Sequence, residues 1–80
     1  MILILAGFIE IHTGHTILEL MHNIDSGEPL VLDYQEGFLI LRVHKLEYAS
    51  GRKKLHVEIL PRYGELESYL NAGKLVLDIA

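Results

Sequence analysis

Two short turns that each end in glycine divide the middle of the chain into three strand-like runs. The turns read QEG at 35–37 and ASG at 49–51. A three-residue connection that ends in glycine is typical of a type I turn followed by a left-handed glycine, and it joins antiparallel strands. The pattern therefore predicts an antiparallel meander built from the runs 30–34, 38–48 and 52–60.

The register of both hairpins follows from the length of their turns. Three-residue connections place Tyr34 opposite Phe38 and Tyr48 opposite Arg52. In the second hairpin this register sets apolar side chains opposite apolar ones, whereas a slip of one residue would put the two faces out of step. The predicted pairs are Ile40 with Leu60, Leu41 with Ile59, Arg42 with Glu58, Val43 with Val57 and His44 with His56.

The segments on either side of the meander predict two helices and the remaining strands. Thr16 and Glu19 form a capping box at the start of the first helix, which ends at Gly27. A second helix is predicted over 62–72, after Pro61. The fold class is therefore α+β: a small, mainly antiparallel sheet of about five strands, in the order β-(β)-α-β-β-β-α-β, with two helices packed on one face. The remaining strands are predicted at 2–5, 8–12 and 74–80. Because the last of them is almost wholly apolar, we expect it to be an internal strand of the sheet and not an edge.

The length of the chain and its lack of cysteine set its broad class. Eighty residues make a single domain, 1–80, and the absence of cysteine excludes disulfides and cysteine-ligated zinc. The longest apolar stretch, 1–11, contains Glu10 and is shorter than the ~20 residues of a membrane span. It also lacks the basic start and the cleavage site of a signal peptide. We expect a soluble, cytoplasmic protein with no membrane partner.

The predicted register leaves apolar residues on both faces of the meander. Two short helices can cover one face, and the other carries six apolar side chains. Leaving about 300 Å² of such surface exposed forgoes several kcal/mol, which is comparable to the whole stability of so small a domain. Three covers are possible: the N-terminal strands fold over to make a small barrel, a second subunit packs on this face, or a ligand or partner protein binds there. We favour a homodimer. The predicted interface residues are Leu30, Leu32, Tyr34, Phe38, Ile40 and Leu60.

Five histidines raise the question of a metal site. His12 and His15 form an H-x-x-H pair, and His22 follows on the predicted helix. Zinc needs three or four converging ligands, and the sequence places no third ligand near this pair. We interpret them as polar residues at a strand end and a helix start, and expect neither metal nor cofactor.

The other two histidines, His44 and His56, are predicted to be neighbours across the second hairpin. Paired imidazoles can bind a metal weakly, move a proton or respond to pH at an interface. The simplest interpretation is two exposed polar residues on a half-solvated face. Beside them, Arg42 and Glu58 are predicted to form a cross-strand ion pair. Together these four residues make a candidate site for a small anionic ligand.

Charge and motifs narrow the function classes. A net charge of −4 disfavours nucleic-acid binding, and the one basic cluster, 52–54, falls at a predicted hairpin tip. No phosphate-binding glycine loop or nucleophile elbow is present. The sequence therefore predicts a non-enzymatic interaction or regulatory module that self-associates through its second apolar face. The alternative is a small-molecule binding protein with a pocket near Arg42, His44, His56 and Glu58.

Overall fold

A curled antiparallel sheet dominates the computed structural model, which describes residues 1–34, 36–61 and 73–80. Within these residues there are six strands and one helix. The elements are β1 (Ile2–Leu5), β2 (Ile9–His12), α1 (Ile17–Ser26), β3 (Leu30–Tyr34), β4 (Gly37–Ala49), β5 (Arg52–Leu60) and β6 (Gly73–Ile79). The strands lie in the order β2-β1-β6-β5-β4-β3, and every neighbouring pair is antiparallel.

The predicted five-stranded sheet covered by two helices is wrong. The hairpin of β1 and β2 joins the meander in one six-stranded sheet, because β1 pairs with β6. The two edge strands, β2 and β3, then approach each other, so the sheet is nearly closed into a barrel. The helix α1 connects these edges and packs against β4. The predicted helix at 62–72 lies outside the described residues.

The last strand was predicted to be internal because of its apolar sequence, and this is confirmed. β6 lies between β1 and β5, and it pairs with β5 along its whole length, from Gly73 opposite Ile59 to Ile79 opposite Lys53. On the other side β6 pairs with β1 only near its end, with Asp78 opposite Ile4 and Ile79 opposite Leu3.

The helix α1 begins and ends where the sequence predicts. The Thr16 hydroxyl accepts a hydrogen bond from the Glu19 amide at 3.2 Å, which satisfies a free donor of the first turn. Gly27 follows the last turn with φ of 73°, and its amide donates to the Asn23 carbonyl. The one fully buried side chain of the helix is Leu20, which projects into the core.

The core lies inside the curl of the sheet. Side chains alternate between the two sides of a strand, so every second residue points inward. Each described strand contributes at least one buried aliphatic residue, and α1 contributes one more. The ten buried residues are Leu3, Ile11, Leu20, Leu30, Leu32, Leu41, Val43, Leu55, Val57 and Leu77.

The register of the first hairpin differs from the prediction by one residue. Tyr34 pairs with Gly37 rather than with Phe38, so the connection is one residue shorter than predicted. Because side chains alternate with a period of two, this shift turns β3 over. Leu30 and Leu32 therefore face the core, and Val31 faces outward.

The second hairpin combines an unexpected turn with the expected strand pairs. Ala49 pairs with Arg52, and both residues of the tight turn have positive φ, 53° at Ser50 and 73° at Gly51, as in a type I′ turn. A bulge between Val43 and Lys45 then offsets the strand by one residue. Beyond the bulge four predicted pairs are confirmed: Ile40 with Leu60, Leu41 with Ile59, Arg42 with Glu58 and Val43 with Val57.

Candidate functional site

A groove crosses the outer side of the sheet beside this bulge. It spans β4, β5 and β6 and has a volume of about 350 Å³. Four basic side chains and the exposed Val76 line it, while Val57 is buried and Leu75 packs against the core. Basic side chains around a groove suit a small polar ligand. The groove is lined by His44, Lys45, His56, Lys74, Val57, Leu75 and Val76.

Two glutamates hold the histidines of the groove. The Nε2 atom of His44 lies 3.3 Å from Oε1 of Glu58, and Nε2 of His56 lies 3.2 Å from Oε1 of Glu47. An ionised carboxylate only accepts hydrogen bonds, so each imidazole donates its Nε2–H. When the imidazole is neutral, its Nδ1 atom therefore carries a lone pair. No hydrogen bond reaches either Nδ1 within the described part of the chain.

Glu47 is the carboxylate that orients His56. The hydrogen bond from His56 and then the ammonium of Lys45, at 3.6 Å, hold the pKa of Glu47 below the ordinary value of a glutamate. Both interactions favour the ionised carboxylate over the neutral acid. Glu47 therefore stays charged and keeps the imidazole of His56 oriented.

The four predicted ligand residues are only partly brought together. His44 is the extra residue of the bulge and has no cross-strand partner, while His56 pairs with Lys45, so the predicted pairing of the two histidines is wrong. Both nevertheless line the same groove. Arg42 lies opposite Glu58, but the carboxylate contacts His44 instead, and Arg42 forms no ion pair among the described residues.

The sequence reasoning missed Lys45 and Lys74, the two lysines of the groove. Lys74 enters through the pairing of β6 with β5, where it lies opposite Glu58. Lys45 enters through the bulge, which turns it to the same side as His56. The spacing of the apolar residues carries a signal for this bulge, because Val43 and Leu46 are three residues apart where an unbroken strand would have two.

A second feature of the outer side is an apolar patch, defined here as Val31, Phe38, Ile40 and Leu60. Val31 is 51% exposed and Phe38 is 42% exposed, and Ile40 and Leu60 are half-buried. Ile40 pairs with Val31 on one side and with Leu60 on the other. The four residues are thus contiguous across β3, β4 and β5.

The apolar patch overlaps only in part with the predicted interface. Leu30 and Leu32 are 2% and 1% exposed and belong to the core, and Tyr34 packs partly buried against it. The three remaining residues, Phe38, Ile40 and Leu60, lie in the patch. Val31 joins them because of the one-residue shift in the first hairpin.

The H-x-x-H pair lies where the edge strands β2 and β3 approach each other, beside a groove of about 310 Å³ that Val31 and Asp33 also line. His15 is held between two acceptors: its Nδ1 is 2.7 Å from Oε2 of Glu19, and its Nε2 is 3.3 Å from the carbonyl oxygen of Val31. The ring thereby links α1 to the edge strand β3. Across residues 1–34, 36–61 and 73–80, no three His, Cys, Asp or Glu side chains are grouped to hold a metal ion.

Comparisons with known proteins give no further identification. The chain matches no protein family model, no curated protein and no solved structure. Among the described residues, α1 is too short to cross a membrane.

Proposed function

We propose that this protein is a non-enzymatic interaction module that forms a homodimer through the outer side of β3, β4 and β5. The observation that supports the proposal is the apolar patch. Its side chains stand on neighbouring strands and not on loops, so they form a fixed surface. Burying that surface against a second copy removes apolar area from water at ~25 cal/mol per Å².

The charges beside the apolar patch favour a second copy as the occupant. Asp33 and Arg42 are both exposed on the outer side, and neither forms an ion pair within the described residues. Asp33 lies opposite Phe38 at one end of the patch, and Arg42 lies beyond Ile40 at the other. Each is displaced about 7 Å along the strands from the paired Val31 and Ile40.

This arrangement is self-complementary about a two-fold axis. An axis that crosses the strands at Val31 and Ile40 exchanges the two ends of the apolar patch. It therefore brings Arg42 of one subunit over the partner subunit's Asp33, and the reverse. Such isologous contacts are the usual form of a homodimer. A cytoplasmic location stays a prediction that depends on the absence of cysteine.

The apolar patch is tested with two matched valine substitutions. Val31 and Val76 are both outward-facing strand residues of similar exposure, 51% and 46%, but only Val31 lies in the patch. We expect light scattering to give a dimer mass for the wild type and for Val76→Asp, and a monomer mass for Val31→Asp with an unchanged far-UV circular dichroism spectrum. A wild-type monomer at about 100 μM, a concentration well above a micromolar Kd, would contradict the proposal.

The two-fold arrangement is tested by exchanging its charges. Arg42→Asp places like charges opposite each other and should weaken dimerisation at least about tenfold. The double variant Arg42→Asp with Asp33→Arg reverses both charges and should restore the dimer. Failure of the double variant to restore it would rule out this axis, even if the apolar patch is the interface.

A further inference from the structure

We propose that the groove lined by His44, Lys45, His56 and Lys74 is a pH-gated binding site for a small oxyanion. The site is closed to anions when the two histidines are neutral and opens when they are protonated. This inference does not depend on the homodimer, because the groove lies about 13 Å along β4 from Ile40, beyond the apolar patch.

The permanent positive charge of the site comes from two lysines. Lys74 is exposed and lines the groove, and it forms no ion pair among the described residues. The ammonium of Lys45 lies 3.6 Å from Glu47 and is already partly neutralised. An exposed lysine alone is a weak anion site, because water competes for the same charge.

The gate follows from the hydrogen bonds of the histidines. Glu58 and Glu47 take the Nε2–H of His44 and His56, so a neutral ring presents the Nδ1 lone pair as its free atom. A lone pair repels an oxyanion, which offers only acceptors. Protonation converts each Nδ1 into a donor. Anion binding is thus linked to the uptake of one or two protons.

The charges around the groove also favour anion binding only when the histidines are protonated. With neutral histidines, Lys45 and Lys74 are balanced by Glu47 and Glu58, and the site has no net charge to attract an anion. Lys54 and Asp78, which are paired across β5 and β6 next to the groove, also offset each other. Protonation of both histidines leaves a net charge of about +2, which concentrates anions in the groove. The next charge along the outer side is Arg42, which has the same sign.

Sulfate is the suitable probe because it remains a dianion between pH 5.5 and pH 7.5. We expect sulfate, titrated against chloride at constant ionic strength, to shift the NMR signals of both histidine side chains at pH 5.5. Because the gate requires protonated histidines, we expect the apparent Kd for sulfate to be at least about tenfold higher at pH 7.5 than at pH 5.5.

Matched variants separate this site from general attraction to a positive surface. Lys74→Gln and His56→Gln should each weaken sulfate binding at pH 5.5 by at least about tenfold. Lys53→Gln and His22→Gln, which remove an exposed lysine and an exposed histidine outside the groove, should leave it unchanged. Repeating the titration with Val31→Asp keeps the result independent of dimerisation.

Three outcomes would overturn the proposal. The first is sulfate binding of equal strength at both pH values, since the histidines would then have no part in it. The second is equal loss in the control and groove variants. The third is binding of Zn²⁺ but not of sulfate, in which Zn²⁺ shifts the Nδ1 NMR signals of the two histidines at pH 7.5. That result would make the groove a cation site.

Discussion

At the scale of single residues, the outer side of the sheet depends on which atoms the exposed glutamates engage. Glu47 and Glu58 are ordinary surface carboxylates by sequence, and neither was expected to orient a histidine. In the structure each accepts from an imidazole Nε2, and this decides what the opposite ring nitrogen can do. The sequence could indicate that His44, His56 and Glu58 share one side of a hairpin, but not the atom-by-atom pairing, which depends on the bulge.

The lowered pKa of Glu47 makes the stability of the protein depend on pH. Its pKa is lowered in the folded protein, so its interactions contribute stability above the ordinary glutamate pKa, and that contribution is lost as the pH falls through the folded value. Urea unfolding midpoints, measured at one protein concentration, should therefore fall more between about pH 5.5 and pH 3.5 for wild type than for Glu47→Gln.

A control for that comparison is Glu36→Gln. Glu36 lies exposed in the turn between β3 and β4 and forms no ion pair within the described residues. Its variant should follow the wild-type pH dependence. Identical curves for the wild type and Glu47→Gln would show that the contacts with His56 and Lys45 contribute no stability.

At the scale of elements, turn length was the part of the sequence reasoning that failed. Both hairpins use tighter turns than predicted, and each error shifts the register by one residue. In β3 the charged Asp33 alternates with Leu32 and Tyr34, which marks its own side as the outer one and Leu30 and Leu32 as inner. In the second hairpin the apolar pairs fixed the register near Val43 correctly, and the bulge absorbed the difference from the turn.

The type I′ turn between β4 and β5 requires residues that accept a positive φ. Gly51 has φ of 73°, a conformation that costs a residue with a side chain roughly 1 kcal/mol. Gly51→Ala should therefore destabilise the protein by about that amount, as measured by urea unfolding. Ser50→Asn should stabilise it by about 0.5 kcal/mol, since asparagine is favoured at the first position of this turn.

The matched control is Gly14→Ala. A methyl group at Gly14 meets no atom within 4 Å, and its φ is not positive. This substitution should be neutral or stabilise the protein by up to about 1 kcal/mol, because it reduces the entropy of the unfolded chain. Equal effects of alanine at positions 14 and 51 would show that the turn does not need its left-handed glycine.

At the scale of the whole molecule, the sequence predicted the kind and order of most elements but not how the sheet closes. The meander, α1 and an internal last strand are confirmed, since each depends on local caps, turns and periodicity. The pairing of β1 with β6 joins opposite ends of the sequence, and no local pattern specifies it. The curl of the sheet therefore has no local signal in the sequence. For the same reason the sequence does not specify which apolar residues lie in the core and which lie on the outer side.

The closed core predicts opposite effects for two neighbours in β6. Leu77 points inward and is buried, so Leu77→Ala should cost roughly 2–5 kcal/mol, enough to unfold much of so small a domain. Val76 points outward, and Val76→Ala should change the free energy of unfolding by less than about 0.5 kcal/mol. Equal losses in both variants would contradict the assignment of inner and outer sides.

The position of β6 between β1 and β5 also has a kinetic consequence. The hairpin of β1 and β2 and the meander of β3, β4 and β5 each form from residues close in sequence, but they share no sheet until β6 joins them. The contact of Leu3 with Ile79 closes a loop of almost the entire chain, which is the slowest kind of search for a small protein. During synthesis the two partial sheets must therefore wait, with unpaired edges, until the last strand is made.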